Sequence, residues 1–124
     1  MPTYTATSTR TLGHTAETLA CDYLQQQGLE LVMRNYTCKM GELDLIMRDT
    51  QHIVFVEVRS RQASQHGSPL DTITATKQRR LVRTAEHYLQ RHRIDMPCRI
   101  DVIGITYAAE RVHIDWVPNA VQAY

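Results

Sequence analysis

From Ala16 the apolar residues fall at Ala16, Leu19, Ala20, Tyr23 and Leu24, the spacing of a helix with one buried stripe. Gly28 supplies a C-terminal stop. Leu29, Leu31 and Met33 then alternate with Glu30, Val32 and Arg34, the two-residue period of a strand. Two stronger strands are expected at Gly41 to Arg48 and Ile53 to Ser60, joined into a hairpin by Asp49, Thr50, Gln51 and His52. A Gly-, Ser- and Gln-rich stretch, RQASQHGSP, follows as a loop. Pro69 and Asp71 stand where a second helix would begin. Leu81, Ala85, Tyr88 and Leu89 form its buried stripe, which ends near His92. The last third reads as strands Arg99 to Thr106 and Arg111 to Val117 around a short turn, with Trp116 and Val117 in the core. The order α-β-β-β-α-β-β predicts an α/β sandwich, one mixed β-sheet of about five strands with helices on both faces.

Residues 1 to 11 are Thr-rich and show no apolar repeat, so they are expected to be a loose, flexible tail. Residues 12–124 then form a single domain, because a chain of 124 residues holds one core and is too short for two. Neither a signal peptide nor a membrane span is expected, and a cytoplasmic location is the default reading. Cys21, Cys38 and Cys98 are odd in number and widely separated, which suggests neither a disulfide framework nor a zinc site. The formal charge is only +1, so attraction to a polyanion has to come from local patches.

The hairpin carries the candidate chemistry. If the loop at 49–52 closes it symmetrically, Arg48 faces Ile53, Ile46 faces Phe55, Asp44 faces Glu57 and Glu42 faces Arg59. Asp44, Ile46, Phe55, Glu57 and Arg59 then share one face, and Leu43, Leu45, Val54, Val56 and Val58 the other. Facing residues have Cβ atoms about 5 Å apart, where two like charges repel unless something cancels them. A divalent cation would do so, and magnesium takes one or two protein carboxylates and leaves its other positions to water and phosphate. A shared proton, or a salt bridge from Arg59 or a nearby lysine, is the alternative cure. Glu17, at the edge of the first helix's buried stripe, is placed to lean over the sheet as a third carboxylate. The six histidines show no metal-ligand spacing; His14, three before Glu17, is the one of interest.

At these residues the chain resembles the YraN-type family of bacterial proteins. That family is related to the PD-(D/E)XK superfamily of restriction-endonuclease-like and Holliday-junction-resolvase-like nucleases. The likeness covers most of the chain: Gly13, Ala16, Glu17, Tyr23 and Leu24, then GELDLI at 41–46, VFVEVRSR at 54–61, Lys77 with Arg80 and Leu81, AEHYL at 85–89 and RIDVI at 99–103. It implies a restriction-endonuclease-like sandwich and a site of Asp44, Glu57 and Glu17 holding Mg2+ or Mn2+ for phosphodiester hydrolysis of structured DNA. Arg59 stands at the position of the superfamily's lysine. An arginine stays protonated, so it can offset developing negative charge but cannot take a proton from water. Related families with a relocated lysine imply that Lys77 supplies the amine instead. Resolvase-like nucleases commonly act as homodimers, which is the expectation here.

Lys77, Arg79, Arg80 and Arg83 crowd the start of the second helix, and Arg61 follows Arg59 on its strand. Together they are candidates for nucleic-acid binding through phosphates, or else a solvated helix face. Gly67 and Ser68 would border the groove, and Glu42 is an auxiliary acid. Two other functions fit the same fold: a catalytically silent nucleic-acid-binding module, and a protein-interaction domain whose acids make salt bridges only.

Overall fold

The computed structural model describes residues 3–4, 16–64 and 67–122. Their elements are β1 (Thr3–Tyr4), α1 (Ala16–Gln26), β2 (Glu30–Cys38), β3 (Gly41–Arg48), β4 (Ile53–Gln62), a 3-10 turn (Pro69–Thr72), α2 (Ala75–Arg91), β5 (Cys98–Tyr107) and β6 (Val112–Val121). The predicted α-β-β-β-α-β-β sandwich is present. Its sheet runs β1-β6-β5-β4-β3-β2, with β4 and β5 parallel and the other neighbours antiparallel. A parallel pair needs a long crossover, and the 3-10 turn with α2 provides it.

Each helix covers one face. Leu19, Ala20, Cys21, Tyr23 and Leu24 of α1 pack on Leu45, Met47, Val54, Val56, Ile103, Ile105 and Ile114. Leu81, Ala85 and Tyr88 of α2 pack on Leu43, Ile46, Phe55, Ile100 and Val102. Gly28 ends α1 at φ +100°, a backbone angle that glycine adopts without Cβ strain.

Several boundaries differ from the sequence reading. Pro69 and Asp71 start a 3-10 turn capped by Ser68, not the helix itself. α2 begins after Thr74, whose side chain accepts from the Lys77 amide. Leu89 lies at the margin of the α2 core, and Thr84 fills the inner stripe by donating to the Arg80 carbonyl. β2 is an edge strand, so Leu31 and Met33, the apolar positions of the alternation, stay exposed along with Val32, and among its residues Tyr36 is the buried one. Thr3–Tyr4, in the stretch expected to be a loose tail, pair with His113 and Val112 of β6.

Asp101 is fully buried, and every donor it needs comes from nearby. Its carboxylate accepts from Arg99 Nε at 3.1 Å, Trp116 Nε1 at 2.9 Å and the Asn119 amide at 2.8 Å. Asn119 has φ +53° and lies where the β5–β6 register shifts between Ile100 and Val102, so the carboxylate captures an amide that the bulge removes from the ladder. Trp116, expected as plain core, thus also serves as a donor.

Candidate functional site

The expected hairpin register holds from Arg48–Ile53 through Leu45–Val56. There the ladder stops. Asp44 and Glu57 are not a backbone pair; the Asp44 carboxylate Oδ2 instead accepts from the Val58 amide at 2.8 Å. Glu42, expected opposite Arg59, pairs with Thr37 of β2. The cause is a local reversal of faces. Asn35 of β2 has φ +56°, so Arg34 points to Thr18 of α1 while Tyr36 points to His87 of α2. Opposite them, Leu45 joins the α1 core and Leu43 the α2 core. The predicted apolar face is corrected at Leu43 for this reason. Asp44 sits at the turnover, aimed across the splayed end of the hairpin.

Glu57 meets it there. On β4 Glu57 is level with Val102 of β5, which belongs to the α2 core. Its carboxyl, pushed up to about 7, is raised first by burial, then by the Asp44 charge and a hydrogen bond to the Asp44 side chain, against the attraction of Arg59 and Lys77. Arg59 Nη2 lies 2.8 Å from Glu57 Oε2. All three devices that relieve a facing acid pair without metal are therefore in place: a shared hydrogen bond, a guanidinium and a nearby ammonium. Arg59 Nε is buried without a hydrogen-bond partner.

Glu17 approaches from α1. Its pKa is raised by burial, then by Asp44 and Glu42, and lowered by Arg34 and by a hydrogen bond from Asn35. Arg34 Nη2 lies 3.8 Å from its carboxylate. Arg34 and Asn35 are the neighbours that sequence reasoning missed; an asparagine interrupting a strand was the available signal. Among the described residues no group of three or more His, Cys, Asp or Glu is gathered to hold a metal. What converges is the Asp44–Glu57 pair. That donor set suits a hard cation such as magnesium, which needs one or two carboxylates.

The expected basic patch is divided. Lys77 acts on Glu57, and Arg80 lies beside Gly41 at the start of β3. Arg79 and Arg83 instead line a separate open cleft of about 480 Å³ with Val82, Glu86 and Gln122. Positions two apart on a helix differ by about 200° in direction, which separates Lys77 from Arg79. Arg61 donates to the Gly67 carbonyl and the Thr106 hydroxyl, so it ties the loop before the 3-10 turn to the sheet. Ser68 caps that turn. Gly13, His14 and His66 lie outside the described residues. No described helix is long and apolar enough to cross a membrane.

Glu57 predicts a pH effect with a definite sign. Its folded pKa of about 7 exceeds its ordinary 4.5, so ionisation disfavours the folded state. Stability from this group is full below 4.5 and is lost as pH rises from there through about 7, an effect on the order of 3 kcal/mol. Urea unfolding of wild type without metal should weaken across that window relative to Glu57→Gln. Parallel pH profiles for the two proteins would contradict the assigned burial.

A family profile described as Uncharacterised protein family UPF0102 matches residues 16–105. A UPF0102 protein of Coxiella burnetii (strain RSA 331 / Henzerling II) is 48% identical over 116 residues, 92% of this chain and 94% of its own. One from Nitrosococcus oceani is 49% identical over 113 residues, 90% and 91% of the two chains. One from Nitrosomonas europaea is 49% identical over 108 residues, 87% and 91%.

Proposed function

The chain belongs to Uncharacterised protein family UPF0102, and on the geometry of its hairpin we propose that it is a metal-dependent endonuclease-like protein acting on structured DNA. The observation that carries this reading is the meeting of Asp44 and Glu57 at a splayed strand end with Arg59 and Lys77 beside them. A carboxyl raised to about 7 first by burial and then by a neighbouring acid gains from a cation that offsets both the desolvation and the repulsion. The structured-DNA substrate and a homodimer rest on the resemblance to Holliday-junction-resolvase-like nucleases.

In this reading Asp44 and Glu57 hold Mg2+ or Mn2+. When bound, the cation would supply Lewis-acid chemistry, offsetting charge on a phosphodiester and acidifying water. The amide of Val58 holds Asp44 Oδ2, which leaves Oδ1 to a cation. Arg59 offsets the charge that builds on the phosphoryl oxygens in the transition state, and Lys77 is the ammonium available to orient water by donating to it. Glu17 positions water from the α1 side. Lys77 and Arg80 guide the phosphate backbone toward the acids; Arg79 and Arg83 would contact a more distant part of the duplex. A second reading, DNA binding without cleavage, is favoured by one observation, the permanently charged Arg59 in the lysine position, paired with Glu57.

Binding to the native state raises its stability by mass action, by about 2.7 kcal/mol at a hundredfold excess over Kd. Titrating Mg2+ or Mn2+ while following thermal unfolding should therefore raise the melting temperature of wild type by several degrees and leave Asp44→Asn unmoved. No shift in wild type with either metal would sink the metal site. Incubation with four-way-junction, flap, single-stranded and linear duplex DNA then separates the two readings. Cleavage of branched DNA, lost in Glu57→Gln, is expected of the nuclease; binding without cleavage supports the silent module.

A further inference from the structure

We infer that Arg59 has two alternative partners, closing the acid site as a guanidinium plug when no cation is bound and turning to substrate phosphate when one enters. The inference rests on the reading that Asp44 and Glu57 hold a divalent cation.

Arg59 and Glu57 lie two apart on β4, so their side chains leave the same face of the strand. Arg59 Nη2 reaches Glu57 Oε2 at 2.8 Å, one of the two oxygens that Glu57 can offer a cation. Asp44 has already committed one oxygen to the Val58 amide. A cation entering between the acids therefore meets the guanidinium as a like charge on the same carboxylate, and that repulsion favours the arginine's departure. The arginine is not satisfied where it stands, because among the described residues its buried Nε has no acceptor. A buried unpaired donor is costly, and a phosphodiester beside the acids offers the guanidinium a two-oxygen acceptor that matches its fork. Phosphate would satisfy both Nε and Nη2, whereas Glu57 takes only Nη2. Cation and phosphate thus each favour the other's binding: the cation releases Arg59, and phosphate captures it. A lysine at this position would offer one point charge and no such exchange.

Isothermal titration calorimetry of Mg2+ and Mn2+ on wild type, Arg59→Gln, Arg59→Lys and Asp44→Asn tests this directly. Removing the competing cation should tighten metal binding in Arg59→Gln about tenfold, a change worth about 1.4 kcal/mol. Arg59→Lys keeps the charge and should stay within about threefold of wild type. With Ca2+ as the bound cation, Arg59→Gln should bind junction DNA more weakly than wild type. Unchanged or weaker metal binding in Arg59→Gln, with Asp44→Asn still abolishing it, would overturn the plug and leave the metal site standing. Metal binding in none of the four proteins would overturn both. If Arg59→Gln fails to fold, the nitrogen-15 guanidinium resonances of Arg59, assigned by their loss in Arg59→Lys, give the answer in wild type. Mg2+ should free their restricted rotation, and guanidinium signals that stay restrained at saturating Mg2+ would contradict the exchange.

Discussion

Asp101→Ala is expected to cost about 3–5 kcal/mol of stability, the penalty for removing one partner of a buried charged network. The carboxylate is fully buried and holds three donors from different places: the Arg99 guanidinium, the Trp116 indole and the Asn119 amide. Without it, the amide that the bulge at Asn119 takes out of the ladder loses its acceptor, and Arg99 keeps, among the described residues, Asp49 at 3.8 Å. Asp101→Asn preserves one oxygen and should lose less, on the order of 2 kcal/mol. Urea denaturation of the two variants checks the ranking. A loss below about 1 kcal/mol in the alanine variant would mean that the donors find other partners and that the network is not what fixes the β5–β6 bulge. Metal binding at the hairpin should survive in whatever fraction remains folded, since Asp101 takes no part in the acid pair.

Gly104→Ala should be the most damaging small substitution in the sheet, destabilising by about 3 kcal/mol or more. A Cβ there would lie 2.1 Å from Pro69 Cγ and 2.7 Å from Pro69 Cβ, far inside van der Waals contact. Proline is a rigid ring and the start of its turn is held by a capping box of Ser68 and Asp71, so neither partner can give way cheaply. The position also borders the candidate site. Gly104 is level with Arg59 on the neighbouring strand, and the missing side chain lets the 3-10 turn settle onto the sheet beside the site. Thermal unfolding should show a large drop in melting temperature for Gly104→Ala, and Pro69→Ala in the same background should recover part of it by opening space. A Gly104→Ala protein as stable as wild type would refute the close approach.

The candidate site was legible in the residues to different depths. Asp44, Glu57 and Arg59 are recognisable because period-two alternation puts acids and a cation at one end of a strongly apolar hairpin. The turn at 49–52 also fixes the register from Arg48–Ile53 to Leu45–Val56. The same reasoning failed one step further. It assumed an uninterrupted ladder, and Asn35 in the left-handed region reverses the faces next to Asp44. The basic patch divides for another reason: counting cations along the chain ignores helical direction, which sends Lys77 to the acids and Arg79 to a separate cleft. Asp101 drew no separate reading from the sequence; its burial and three donors make it structural.

By itself the sequence determined the element order, the two buried helix stripes, the hairpin and the acids it carries, because each depends on contacts a few residues apart whose periodicity is written in the chain. Only the tertiary structure decided that β2 lies exposed at the edge, that β4 and β5 run parallel and that the hairpin splays at Asp44. It alone brings Glu57 between Asp44, Arg59 and Lys77. Those features depend on which distant segments meet and on the charges and burial they impose on one another, and local periodicity carries no record of either.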